Sequence, residues 1–205
     1  MSEEAVASGQ VAAVVTWLEM VERPEPADIP SPLRLIRIEQ PRLDHYRALF
    51  RLVGAPWLWF SRLAMGDEAL AAIVHDPAVH LFTIVDEAEA EVGMIELDFR
   101  QSGQCELSFV GLVPELSGKG HGRWLLGEAL RHAWAGDGVE RVHVHTCTLD
   151  HPAALGAYRR AGFIAFKRSV ERFADPRLTG ILPLDCAPQV PLIGTGAALA
   201  AARSA

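Results

Sequence analysis

The densest chemistry in the chain lies in Val113-Pro114-Glu115-Leu116-Ser117-Gly118-Lys119-Gly120-His121-Gly122-Arg123, where glycine takes three alternate positions. Alternate glycines let a backbone turn tightly and aim successive N–H groups at one spot. Leu126, Ala129, Leu130 and Ala133 then follow at helical spacing, so a helix starts near Gly120. Amides at the positive end of a helix dipole bind anions, and a pyrophosphate fits such a seat, with Lys119 and Arg123 adding charge beside it. The same pattern is also that of a glycine-rich turn with no ligand. A Walker loop is excluded, because Lys119 is followed by Gly120 and not by Ser or Thr. A dinucleotide fold would carry its glycines after the first strand of a parallel sheet, not in the second half of the chain.

Other reactive side chains are scattered. His143, His145 and Cys147 share one face of a strand, but same-face neighbours stand about 6.6 to 7 Å apart, which favours packing or pocket lining over metal ligation. Cys147 becomes a nucleophile only if something such as His145 lowers its pKa. Glu96 and Asp98 fall on one face of a strand, and Glu106 on the next. Together they would attract an ammonium ion. Trp57-Leu58-Trp59-Phe60 is either core or an aromatic wall suited to an amine with an apolar body.

The elements that must hold these residues are legible in outline. Val11 to Met20 is β-branched and apolar and reads as a strand, followed by a proline-rich connector to Pro32. Leu33 to Glu39 alternates as a strand, and Asp44 to Leu52 reads as a helix. Asp67 is placed to cap a short helix over Glu68 to Val74. Leu81 to Val85, Val92 to Phe99 and Glu106 to Val113 form an antiparallel meander. Arg141 to Thr146 is a strand, Asp150 is placed to cap a helix ended by Gly162, and Phe163 to Phe173 is a last strand or strand pair. The order implies an α/β (α+β) fold with a mixed, mostly antiparallel central sheet flanked by helices. The chain divides into an N-terminal strand and connector (1–32), a main domain (33–185) and an Ala/Gly/Pro-rich tail (186–205) expected to fray.

Composition narrows the function. A net charge of −7 argues against nucleic acid as partner and for a cationic one. No apolar run approaches the roughly 18 to 20 residues of a membrane span, and no basic leader precedes Val11, so a cytoplasmic protein without membrane association is expected. Three cysteines, Cys105, Cys147 and Cys186, without C-x-x-C spacing give neither a disulfide framework nor a closed zinc site, and no metal is expected.

Ser117-Gly118-Lys119-Gly120-His121-Gly122 resembles the signature of the GNAT superfamily of N-acetyltransferases (Arg or Gln, two residues, Gly, one residue, Gly or Ala), with Ser117 where Arg or Gln is usual. His151-Pro152-Ala153-Ala154-Leu155-Gly156-Ala157-Tyr158-Arg159-Arg160-Ala161-Gly162-Phe163 resembles a second segment of the family, with His151 where Asn is usual. The resemblance covers roughly Leu33 to Phe173. The chain is also similar to a bacterial subgroup carrying Trp17-Leu18-Glu19-Met20 early and His145 to Pro152 late.

The resemblance implies a GNAT fold whose fourth and fifth strands splay, and acetyl-CoA as co-substrate. It places the cofactor on Gly111, Leu112, Val113, Ser117, Gly118, Lys119, Gly120, His121, Gly122, Arg123 and His151. It implies direct acetyl transfer to a primary amine, with Tyr158 serving the departing sulfur and Glu106, or a water, as base. The acceptor is expected to be a small-molecule amine. A protein lysine and a non-catalytic acetyl-CoA sensor are the alternatives. A homodimer is the assembly compatible with it.

Overall fold

The computed structural model describes residues 3–25 and 29–194. In chain order the elements are β1 (Gln10–Met20), β2 (Arg34–Ile38), α1 (Leu43–Gly54), a 3-10 turn (Ala55–Trp57), α2 (Asp67–Val74), β3 (Val79–Val85), β4 (Glu91–Asp98) and β5 (Gln104–Leu112). A second 3-10 turn (Pro114–Leu116), α3 (His121–Ala133), β6 (Arg141–Cys147), α4 (Ala154–Arg160) and β7 (Ile164–Ala174) complete the chain. The seven strands form one sheet in the order β2-β3-β4-β5-β6-β1-β7. Among the described strands only β5 and β6 are parallel neighbours.

That one parallel junction positions the site. β5 and β6 pair only at Gln104↔Arg141, Cys105↔Val142 and Glu106↔His143. Beyond Glu106 the strands part, so the splay lies between the fifth and sixth strands of this chain, while the fourth and fifth stay paired. The register against β4 slips at the same place: Glu96 faces Phe109 while Leu97 faces Leu107, leaving Ser108 as an extra residue on β5. A bulge bends its strand and increases local twist. Here it turns the outer half of β5 away from β6.

The strand period of two then sorts the side chains into two cores. Leu18, Met20, Leu97, Leu107, Val142 and Val144 pack beneath α3, whose Leu126, Ala129, Leu130 and Ala133 are all buried as their spacing required. On the other face Tyr46, Leu49, Phe50 and Val53 of α1 pack on Leu81 and Met94.

Four local readings change. Asp67 is the first residue of α2 and Gly66 its cap; the Asp67 carboxylate goes to Arg47 at 2.7 Å. Asp150 does not cap α4, which starts later, after a cap at Ala153. β1 does not stand apart from residues 33–185: it lies between β6 and β7, antiparallel to both. The tail is not frayed through 194, because Ala187 is buried and Arg177 holds the carbonyls of Cys186, Ala187 and Val190. Residues 195–205 of the expected tail, and Pro26 to Asp28 of the connector, lie outside the described residues. No described helix is long and apolar enough to cross a membrane.

Candidate active site

The glycine run forms the turn its composition predicted. Gly118 and Gly120 have φ of +76° and +87°, a region closed to most side chains. Gly120 is the N-cap of α3, and a Cβ on either glycine would meet nothing within 4 Å. Among the described residues the N–H groups of His121 and Gly122, at the start of this 13-residue helix, have no acceptor. Ser117, Gly118, Gly120, Gly122 and Arg123 line a cleft there. Lys119 is exposed, and neither it nor His121 is among the residues lining the cleft.

The splayed edge of β5 supplies the next row of polar groups. The Val113 N–H donates to Val92 O of β4, and Gly111 O lies 2.7 Å from where a Cβ on Gly93 would sit. Alternation along a strand then turns the backbone of Gly111 and Val113 toward β4, and that of Val110 and Leu112 toward the gap. Of the expected Gly111, Leu112 and Val113, only Leu112 presents its main chain to the gap, with Val110 beside it. Gly111 serves packing: a Cβ there would meet Val53 at 2.7 Å and the Trp59 ring at 3.1 Å.

Tyr158, on α4, also lines the cleft. Its ring packs edge-on against Phe163, centroids 5.7 Å apart. Among the described residues its hydroxyl has no hydrogen-bond partner. Burial first, and then the Asp150 charge, hold the phenol well above its ordinary pKa. It is a hydrogen-bond donor at neutral pH, with less acidity than the unperturbed phenol the sequence suggested. His151 lies on the cleft wall, its Nδ1 accepting the Ala153 N–H at 3.1 Å and its ring edge-on to Trp57 at 5.2 Å.

Across the gap, on the other face of the sheet, Glu106 meets His145, with Nδ1 3.4 Å from the carboxylate. Trp17 covers the imidazole, centroids 4.8 Å apart. The contact lowers the Glu106 pKa and raises that of His145; in both the hydrogen bond between them is the largest cause. Glu106 is thus the weaker base of the two, and His145, read from sequence as lining or packing, is the stronger. In the parallel register Glu106 stands opposite His143, and His145, two residues on along the same face of β6, reaches it across the opening gap; nothing local to either strand announces this.

The other two carboxylates are already spoken for. Glu96 is fully buried, 2.7 Å from the Arg62 guanidinium, and also accepts the Tyr46 hydroxyl. Arg62 in turn lies over the Phe109 ring at 5.2 Å. Asp98 grips Arg100 through both oxygens. The expected attraction of Glu96 and Asp98 for a substrate cation is corrected by these internal partners.

The aromatic stretch does form a wall, with Trp57, Leu58, Trp59 and Phe60 all lining the cleft and Leu58 the most buried of them. Trp59 donates its indole N–H to Asp150 at 3.0 Å. The other Asp150 oxygen accepts from the Thr146 hydroxyl and the Cys147 N–H, both at 2.8 Å. Asp150 thereby ties the wall to the end of β6, the use it has in place of capping. Burial pushes the Cys147 thiol up to about 11, which makes it a poor nucleophile.

These surfaces enclose one cleft of about 1680 Å³ that runs through the gap, lined by Gly118, Gly120 and Tyr158 on one side and by Glu106, His145 and Trp57 on the other. A spermidine N(1)-acetyltransferase of Vibrio cholerae is 26% identical to this chain over 104 residues, 49% of this chain and 58% of that protein. A GCN5-related N-acetyltransferase from Sphaerobacter thermophilus superposes with a TM-score of 0.55 at 19% identity, over 82% of this chain and 52% of that one. The chain thus spans little more than half the length of these two relatives. Spermidine N-acetyltransferase from Vibrio cholerae in complex with CoA and spermine superposes with a TM-score of 0.53 at 21% identity, over 71% of this chain and 98% of that one. The acetyltransferase (GNAT) family profile matches residues 46–163, more than half of the 205 residues, and this chain belongs to that family.

Proposed function

We propose that the chain moves the acetyl group of acetyl-CoA directly to the primary amine of a small molecule, inside the cleft that crosses the sheet. The observation that carries this reading is the gap itself, with a free phenol on one side and a carboxylate–imidazole pair on the other. The fit to acetyl-CoA rests on open space in front of Gly118 and Gly120 at a helix start, and on the unpaired strand edge beyond Glu106. The amides of the loop would hold the pyrophosphate, with Arg123 beside it. Val110 and Leu112 would hold the pantetheine arm, and the thioester supplies the activated acetyl group.

The chain's own residues then have separable tasks. His145 carries its Nδ1 proton toward Glu106, which leaves the Nε2 lone pair to take a proton from the acceptor ammonium. Glu106 orients the ring and stabilises the imidazolium that results. Tyr158, held protonated by its surroundings, donates to the sulfur that leaves. The aromatic wall excludes water and supplies apolar contact. The likeness to a spermidine N(1)-acetyltransferase supports an amine of low molecular weight as acceptor.

Competition between small amines (spermidine, 2-phenylethylamine) and a lysine peptide, followed by release of CoA thiol, tests the acceptor class. Turnover of the small amines is expected to dominate. Robust turnover of the peptide alone would defeat the small-molecule reading.

A further inference from the structure

We propose that residues 175–194, beyond the last strand, are the backing of the acceptor wall and set which amines the site accepts, with Arg177 as the positioning residue. The inference rests on the acetyl-transfer reading above and deepens it. It starts from Leu58, which is buried yet holds the left-handed conformation, φ 57° and ψ 32°. A side chain branched at Cγ persists there only where its surroundings over-determine it, and such strain clusters at ligand sites. The surroundings come from the far end of the chain: Leu58 packs in one cluster with Leu182 and Ala187, and with Val11 of β1. The backbone reversal at Leu58 sits between Trp57 and Trp59 in the cleft wall, and Leu58 itself is almost wholly covered. Phe60 completes the wall by packing on Phe173, centroids 4.9 Å apart.

Arg177 fixes that far segment. Its side chain and that of Asp175 are each only 2% exposed. Nε and Nη2 hold the two Asp175 oxygens at 2.9 and 2.7 Å. Nη1 reaches the carbonyls of Cys186 and Ala187 at 3.3 Å and of Val190 at 2.9 Å. One planar fork therefore neutralises a buried carboxylate and closes the loop that follows. The segment is also tied to the wall: Gln189 Nε2 donates to Pro56 O at 2.6 Å. The Gly9 N–H donates to Ile193 O at 2.8 Å, anchoring its end on β1.

The test uses Arg177→Met and, in case burial makes that variant fail to fold, Gln189→Ala, whose target is exposed. Amide hydrogen exchange reads the wall without turnover, through the Leu58 and Trp59 N–H groups bonded to Ala55 and Gly54. Their exchange is expected to quicken by about tenfold in Arg177→Met and about threefold in Gln189→Ala, with α3 unchanged. In the same variants KM for 2-phenylethylamine should rise by about tenfold relative to KM for ethylamine, while acetyl-CoA affinity stays within about twofold. Unchanged exchange at Leu58 and Trp59 overturns the proposal. So does an equal loss for both amines and for acetyl-CoA, the mark of general destabilisation. Absence of any turnover by the wild-type enzyme would instead sink the acetyl-transfer reading and the claim on acceptor choice with it, while exchange still decides whether the segment braces the wall.

Discussion

Gly120 offers the sharpest perturbation of the proposed cofactor seat. At φ +87° with nothing within 4 Å of a Cβ, Gly120→Ala meets no neighbour, and its cost is torsional alone. Holding an L-residue in the left-handed region costs about 1–2 kcal/mol. For a domain of this size that lowers Tm by roughly 2–8 °C if the loop keeps its form. If the loop instead relaxes in the free protein and must be drawn back on binding, the same energy appears as about 5- to 30-fold weaker acetyl-CoA binding. Gly120→Glu adds a carboxylate that takes the amides itself, and binding should be lost. Gly138→Ala is the control: φ is +67°, open space surrounds it, and it lies outside the cleft. It should share the fall in Tm and keep the affinity. Titration calorimetry with acetyl-CoA and a thermal scan measure both. Affinity retained in Gly120→Glu, or lost equally in Gly138→Ala, would rule out the loop as the cofactor seat.

Tyr158→Phe should lower kcat by about 10²-fold or more with acetyl-CoA affinity nearly intact, the pattern of a donor used only in the transition state; equal loss of both in steady-state kinetics and calorimetry would return Tyr158 to the core. The folded pKa of His145 is raised, so the stability its pairing with Glu106 contributes is full below the unfolded value near 6.5 and fades as pH rises through the folded value. The neutral base gains over the same interval, so kcat/KM should climb with pH above 6.5, and Glu106→Gln should shift that limb to lower pH; a pH–rate profile of both proteins checks it. Arg62→Met strands the fully buried Glu96 and should cost about 3–5 kcal/mol in chemical denaturation. The double variant Arg62→Met/Glu96→Leu should recover part of that loss, since a buried pair replaced whole is cheaper than one broken.

What could be read from sequence follows the range of the interactions. The helix face of Leu126, Ala129, Leu130 and Ala133 and the turn at Gly118 and Gly120 depend on neighbours within a few residues, and both stand as the spacing indicates. Tyr158 was placed by its position in a motif, and it does face the cleft. The larger differences involve distant partners. Asp150 sits where a cap belongs, but Trp59, 91 positions away, claims one of its oxygens. Glu96 looks available until Arg62, from the segment after α1, is brought against it. His145 meets Glu106 only because β6 runs parallel beside β5, a neighbour that is distant in sequence. The tail after Ala187 is poor in aromatics and charge, yet one arginine upstream of it, Arg177, supplies the hydrogen bonds that hold its first turn.

The central claim is that acetyl leaves acetyl-CoA and reaches an amine in this cleft. The most direct measurement incubates the purified chain with acetyl-CoA and a set of primary amines that includes spermidine and 2-phenylethylamine, and follows free CoA thiol together with the mass of each amine. The account predicts, for at least one small amine, a product heavier by one acetyl group in equal amount to the thiol released, and its loss in Gly120→Glu. No acetylated amine above the enzyme-free rate, or undiminished product in Gly120→Glu, would contradict it.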